Sequence, residues 1–197
     1  MPKVSDINFL FEVGTLRHVQ RTWRQFLGAD FANVSEHTFR LMWVALLIAS
    51  KEKEVNGEKL LKMALVHDLP ESRTGDVHYV SRLYTTRNEQ LAINDMLAST
   101  SLKEFVDIWE EYERFDCIEA KIVKDADTLD VELELREQQV HGSPLKKLWG
   151  ARRRQQVKGH KLYTKTAKTL WDEIENADPH AWHFQARNRH NSGDWKR

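Results

Sequence analysis

His37, the adjacent pair His67-Asp68 and an acid within the segment KDADTLD are the residues of this chain best suited to holding a cation. Each of them alone also has a plainer reading. On a helix, His37 shares a face with Leu41, Val44 and Ile48 at offsets of four, seven and eleven, the pattern of a core histidine satisfied by one hydrogen bond. His67-Asp68 closes the apolar run KLLKMALVHD, where a buried aspartate is costly unless something pairs it. Glu71 follows close behind and either joins the same place or is an exposed first-turn acid favoured by a helix dipole. Asp127 lies between Val123 and Val131, while Asp125 borders a second apolar sector with Ile118 and Ile122, so periodicity leaves both acids open. Taken together, two imidazoles and two carboxylates make a mixed nitrogen–oxygen set. Such a set suits one divalent cation of borderline hardness: Mn, Fe, Co, Ni or Zn.

Helices must position these residues, because no segment alternates convincingly as a strand would. A first helix is expected over about residues 7–26, then a turn marked by Gly28, Asp30 and Asn33. Asn33 with Glu36 three positions later is a capping-box pattern. The helix it opens runs to about Lys51 and is apolar almost all round (LMWVALLIA), which predicts a central, buried element. Asn56-Gly57 reads as a turn, and residues 59–67 as a short helix that must end before Pro70. A loop is expected over residues 72–81, and helices over 87–98, 102–113, 116–139 and 164–176. The basic run KKLWGARRRQQVKGHK, residues 146–161, reads as a solvated helix face, with an anion-attracting rim as its functional alternative. Trp43, Trp109, Trp149 and Trp171 read as packing residues.

With 197 residues, 41% hydrophobic and 30% charged, the chain fits one all-α helical domain over residues 1–180. Residues 181–197 read as a C-terminal tail, either docked on the core or a partner subunit or loose. Lysine plus arginine equals aspartate plus glutamate at 30 each, so no global charge pulls the chain toward nucleic acid or an anionic membrane. The single Cys117 excludes an internal disulfide framework and reads as a small core residue. Neither a secretory leader nor a run long enough to cross a bilayer is evident, the longest apolar stretch being Leu41 to Ala49. These features predict a cytoplasmic enzyme or binding protein.

The motifs VSEHTFR, ALVHDLPES-x-TGD and KDADTLD resemble the three signatures of the HD-domain phosphohydrolases, a histidine, a His-Asp pair and a final aspartate. More narrowly they are similar to those of the YfbR-type 5′-deoxynucleotidases, over roughly residues 15–135. The resemblance implies a single HD-domain helical bundle with His37, His67, Asp68 and Asp127 as metal ligands. It selects Asp127 because the family's last ligand sits in a K-x-A-D-x-L context, supplied here by residues 124–129. It further implies that Glu71 orients or deprotonates the attacking water and that Asp76 supports the site or the leaving group. Arg21 and Trp23 resemble the family's Arg/Trp pair for phosphate and sugar, although here one residue separates them where the family has them adjacent.

The activity that this resemblance implies is metal-assisted hydrolysis of a nucleoside 5′-monophosphate by a homodimer, with membrane and nucleic-acid partners not expected. Glu71-Ser72 stands where guanosine-tetraphosphate hydrolases of the superfamily carry Glu-Asp, and the Gly-Tyr-Pro signature of its cyclic-dinucleotide phosphodiesterases is absent. Two other readings remain open: hydrolysis of another small phosphate ester or modified nucleotide, and a non-catalytic nucleotide sensor.

Overall fold

Asn33 opens the helix that carries His37, and it does so through both halves of a capping box. Its side chain accepts the Glu36 backbone N–H, and the Glu36 carboxylate accepts the Asn33 N–H. The structure is a computed structural model and describes residues 5–27 and 31–186. The described residues contain no strand, only an isolated antiparallel bridge between Gln20 and Asn33. In chain order, the helices of this all-α architecture are α1 Asp6–Val13, α2 Arg24–Leu27, α3 Val34–Ala49, α4 Gly57–Val66, α5 Glu71–Thr74, α6 Glu89–Leu97, α7 Phe105–Arg114, α8 Ile118–Val140, α9 Leu145–His160, α10 Lys165–Asn176 and α11 Ala181–Phe184, with short 3-10 turns at Gly14–His18 and Ser81–Leu83.

Helix α8 is the hub. It packs on α3, α4, α7, α9 and α10, and α3 also packs on α4. The principal core combines Leu41, Ile48, Leu60, Met63, Ile122 and Leu129 with Trp171. A second cluster joins Phe9, Leu16, Ile93, Met96 and Trp109 beneath the first turns. Trp109 and Trp171 are buried packing residues, as read from the sequence. No described helix is long and apolar enough to cross a membrane.

Four expectations need correction. The single helix over 7–26 is broken: α1 ends at Val13, a 3-10 turn follows, and Val19 is extended. Tertiary partners override local propensity there, since Val19 O accepts the Val34 N–H at 2.9 Å and Arg21 N–H reaches Ala32 O at 3.4 Å. The break brings Arg21 inward, where a continuous helix would have carried it past. Helix α3 is not buried all round: α4 and α8 cover one face, leaving Phe39, Trp43 and Leu47 at 63%, 62% and 46% exposed. Trp43 is therefore not a core packing residue. The loop expected over 72–81 begins as the short helix α5.

The basic run is the fourth correction. It forms α9, but its Lys146 and Arg153 turn inward to the buried Glu132 of α8, Arg153 Nε lying 3.3 Å from Oε2. A carboxylate buried on α8 attracts these two cations out of solvent, which charge-run statistics do not register. At the C-terminus, part of the stretch expected as a tail is the short α11, while residues 187–197 lie outside the described residues. Cys117 caps α8, its sulfur accepting the Ala120 N–H.

Candidate metal centre

Both histidine rings are locked by what they donate to. His67, at the end of α4, places Nδ1 2.8 Å from the Ala64 carbonyl oxygen, which can only accept. His37, from α3, places Nδ1 2.6 Å from Asp130 Oδ2. In the neutral form of each ring the proton therefore sits on Nδ1, and Nε2 is left with a lone pair for a cation. Both Nε2 atoms are buried and have no hydrogen-bond partner. They face the same carboxylates: His67 Nε2 lies 3.2 Å from Asp68 Oδ2, and His37 Nε2 lies 3.6 Å from that atom and 3.5 Å from Asp127 Oδ1.

Two orphaned lone pairs converging on two carboxylates fit a divalent cation. The donor atoms offered by His37, His67 and Asp68 all lie within 4.8 Å of one another, and mixed imidazole–carboxylate sets suit borderline metals. Asp127 stands against the same group through His37 and Arg21. Asp125, the alternative acid, turns the other way: its oxygens accept the Tyr163 N–H, the Thr164 N–H and the Thr164 hydroxyl at 2.7, 2.9 and 2.7 Å.

Arg21 packs against the same carboxylates. Its guanidinium lies 3.1 Å from Asp68, 3.4 Å from Asp127 and 3.7 Å from Asp76. Asp76 also accepts the Thr22 N–H at 2.9 Å, tying the Arg21 segment to the loop after α5. Gly75 makes that loop possible, because its φ of 69° lies in the region other residues avoid. Glu71, in the first turn of α5, is buried: Oε1 takes Arg87 Nη1 at 3.3 Å, and Oε2 has no partner. Burial, with the Asp68 and Asp76 carboxylates nearby, pushes its carboxyl well above the ordinary range. Burial opposes the charge on Asp127 too, but Lys124, Arg21 and His37 outweigh it and hold that acid low.

Trp23 is half-buried on the turn just beyond Arg21, its ring 5.3 Å from Trp149 and 6.4 Å from Phe26. Beside Arg21 and Asp76 an open cleft of about 590 Å³ is lined by Gln20, Gln25, His78, Ser81 and Thr85 among others. His78 bonds Ser81 and packs edge-on against Phe26 at 5.0 Å.

Four residues with evident roles in this geometry escaped the sequence reading. Asp130 holds His37 and lies three residues past Asp127 on the same helix face, a spacing that was open to notice. Arg87 grips Glu71 and the Gly75 carbonyl, the latter at 2.9 Å. Lys124 sits 3.5 Å from Asp127 and donates to the buried Tyr112 hydroxyl at 3.4 Å. Arg40 pairs with Asp130. Nothing local marks Arg87, which comes from the loop before α6 and meets Glu71 only in the fold.

A family model described as "HD domain" matches residues 13–178. The chain is 36% identical over 146 residues to the "5'-deoxynucleotidase HDDC2" of Danio rerio, covering 70% of this chain and 72% of that one. It is 32% identical over 140 residues to the Homo sapiens protein of the same name, covering 68% of each. Among solved structures, a "conserved hypothetical protein from Pyrococcus furiosus" superposes with a TM-score of 0.73 at 25% identity, over 87% of this chain and all of that one.

Proposed function

This chain belongs to the HD-domain family, and on that premise we propose that it is a metal-dependent phosphohydrolase cleaving nucleoside 5′-monophosphates, deoxynucleotides foremost, to nucleoside and inorganic phosphate. The observation that carries the reading is the pair of orphaned Nε2 atoms facing Asp68 and Asp127, with Arg21 beside them and one Glu71 oxygen free. His37, His67, Asp68 and Asp127 are the ligands in this proposal. A divalent cation among them would supply Lewis acidity to the phosphate oxygens and lower the pKa of water.

The chain's own residues do the rest. The overall reaction adds water to phosphorus, breaks its bond to O5′ and returns a proton to the leaving oxygen. Arg21 offers charge-assisted hydrogen bonds to the non-bridging oxygens, which neutralises charge that builds up there. Glu71 takes the water proton through its free Oε2, while Arg87 fixes the other oxygen and with it the carboxylate plane. Asp76 keeps the Arg21 segment in register through the Thr22 N–H and stands near the leaving group. Trp23 offers an indole face to the sugar, and the 590 Å³ cleft is in the size range of small-ligand sites.

Metal-loaded protein assayed for phosphate release against a panel of dNMPs and NMPs should be active, with dNMPs turned over faster. Inactivity toward every member, with metal verified in the protein, would refute the proposal.

We further propose that the chain is a homodimer with α3 at its two-fold axis. Phe39, Trp43 and Leu47 form one exposed stripe at helical spacing, and Glu36 and Ser50 bound it. An antiparallel pairing centred on Trp43 sets Phe39 against the partner's Leu47, so the stripe complements itself. Trp43→Asp should convert the dimer to a monomer in sedimentation. A wild-type chain that sediments as a monomer contradicts this assignment.

A further inference from the structure

The group that holds His37 is linked to the group that places Arg21. Asp130 Oδ2 takes His37 Nδ1 at 2.6 Å, and both side chains are buried. The second Asp130 oxygen accepts from Arg40 Nε. Arg40 then spans outward: Nη2 reaches the Asp130 carbonyl at 3.3 Å and Glu134 Oε2 at 3.2 Å, and Nη1 meets both Glu137 oxygens at 3.0 Å. The other Glu134 oxygen accepts the Ala32 N–H at 2.8 Å. Ala32 is the residue whose carbonyl accepts the Arg21 N–H, at 3.4 Å.

Asp130, Glu134 and Glu137 fall at spacings of four and three along α8, one stripe facing α3. An exposed ion pair added for solubility would not need a carboxylate buried against a histidine ring. One end of this chain of contacts stops at His37 and the other at the backbone beside Arg21. Neither end touches the cleft itself.

We propose that Asp130, Arg40 and Glu134 are positioning residues with two separate outputs. Asp130, clamped by Arg40, fixes the ring plane and tautomer of His37 for the cation. Glu134 fixes the segment at Ala32 against which the Arg21 backbone pairs, and so sets the phosphate-binding guanidinium. The inference rests on the roles proposed above for His37 and Arg21.

The two outputs separate in one experiment on the full chain, stripped of metal and titrated with Co²⁺ against a competing chelator while its visible absorption is followed. Asp130→Asn should weaken Co²⁺ binding by about 10–100-fold, the usual effect of losing a ligand's supporting carboxylate, and alter the absorption band. Glu134→Ala should leave Co²⁺ affinity unchanged and raise KM for a nucleoside monophosphate several-fold with a smaller change in kcat. Melting the metal-free variants separates these effects from a general loss of stability. If Asp130→Asn does not fold, Arg40→Gln replaces it, because it keeps the His37 contact but frees Asp130; its Co²⁺ affinity should fall several-fold. Folded Asp130→Asn or Arg40→Gln protein with wild-type Co²⁺ affinity overturns the first output, and an unchanged KM in Glu134→Ala overturns the second. Wild-type protein that binds no Co²⁺ would instead remove the metal centre on which both depend.

Discussion

Glu71→Gln should keep its metal and lose turnover by about 10²–10⁴-fold, the range that general acid–base catalysis contributes. The substitution is nearly isosteric, and Gln retains a carbonyl oxygen that can still accept from Arg87, whose Nη1 lies 3.3 Å from Oε1 in the parent. What disappears is the ability of the unpartnered Oε2 to accept and carry a proton. Glu71 is also set apart from the ligand set, since the orphaned imidazole nitrogens face Asp68 and Asp127. Metal content and turnover should therefore part company, which metal analysis alongside phosphate release reads directly. Only the ionised carboxylate serves as base, so wild-type turnover should rise with pH through the Glu71 pKa. Burial and the neighbouring carboxylates push that pKa up to about 9, so the rise should continue above neutral pH. Glu71→Gln should lack that limb of the profile. Full activity in the variant would remove Glu71 from the reaction.

Much of the scaffold around this site was legible because its signals are local. The Asn33–Glu36 cap is written within four residues and forms as read. So does the end of α4 at His67, where Pro70 limits how far a helix extends. The failures share one cause, a partner distant in sequence. Helical propensity runs on past Gly14, but Ala32 and Val34 claim the backbone of Arg21 and Val19. Nothing in KKLWGARRRQQVKGHK announces that Glu132 lies beneath it. The apolar circumference of α3 was visible, yet composition does not say which face neighbours will cover. Asp130 was the nearest miss, a second acid on the helix face of Asp127 and three residues beyond it.

Asp125 and Asp127 show the same limit most sharply, and they yield the second large effect. They are separated by one residue, both border apolar sectors, and periodicity ranks neither. Their surroundings predict different phenotypes. Asp125 is fully buried and accepts three hydrogen bonds from Tyr163 and Thr164, the N-cap of α10. Asp125→Ala strands two backbone N–H groups and loosens the docking of α10, at a cost of about 3 kcal/mol. For a domain of this size that is a fall of roughly 6–12 °C in the melting temperature of the metal-free protein. Its metal affinity, measured on folded protein, should be unchanged. Asp127→Ala should act chiefly on the metal. The apo fold loses a carboxylate that Lys124, Arg21 and His37 hold ionised against burial, so its melting temperature should fall as well, but by less than that of Asp125→Ala, which strands two backbone N–H groups. Metal affinity should fall by more than about 100-fold, beyond the loss typical of a supporting residue, and phosphate release should fall with it. Melting and Co²⁺ titration of the two variants side by side test the assignment. Loss of metal in Asp125→Ala with retention in Asp127→Ala would reverse it.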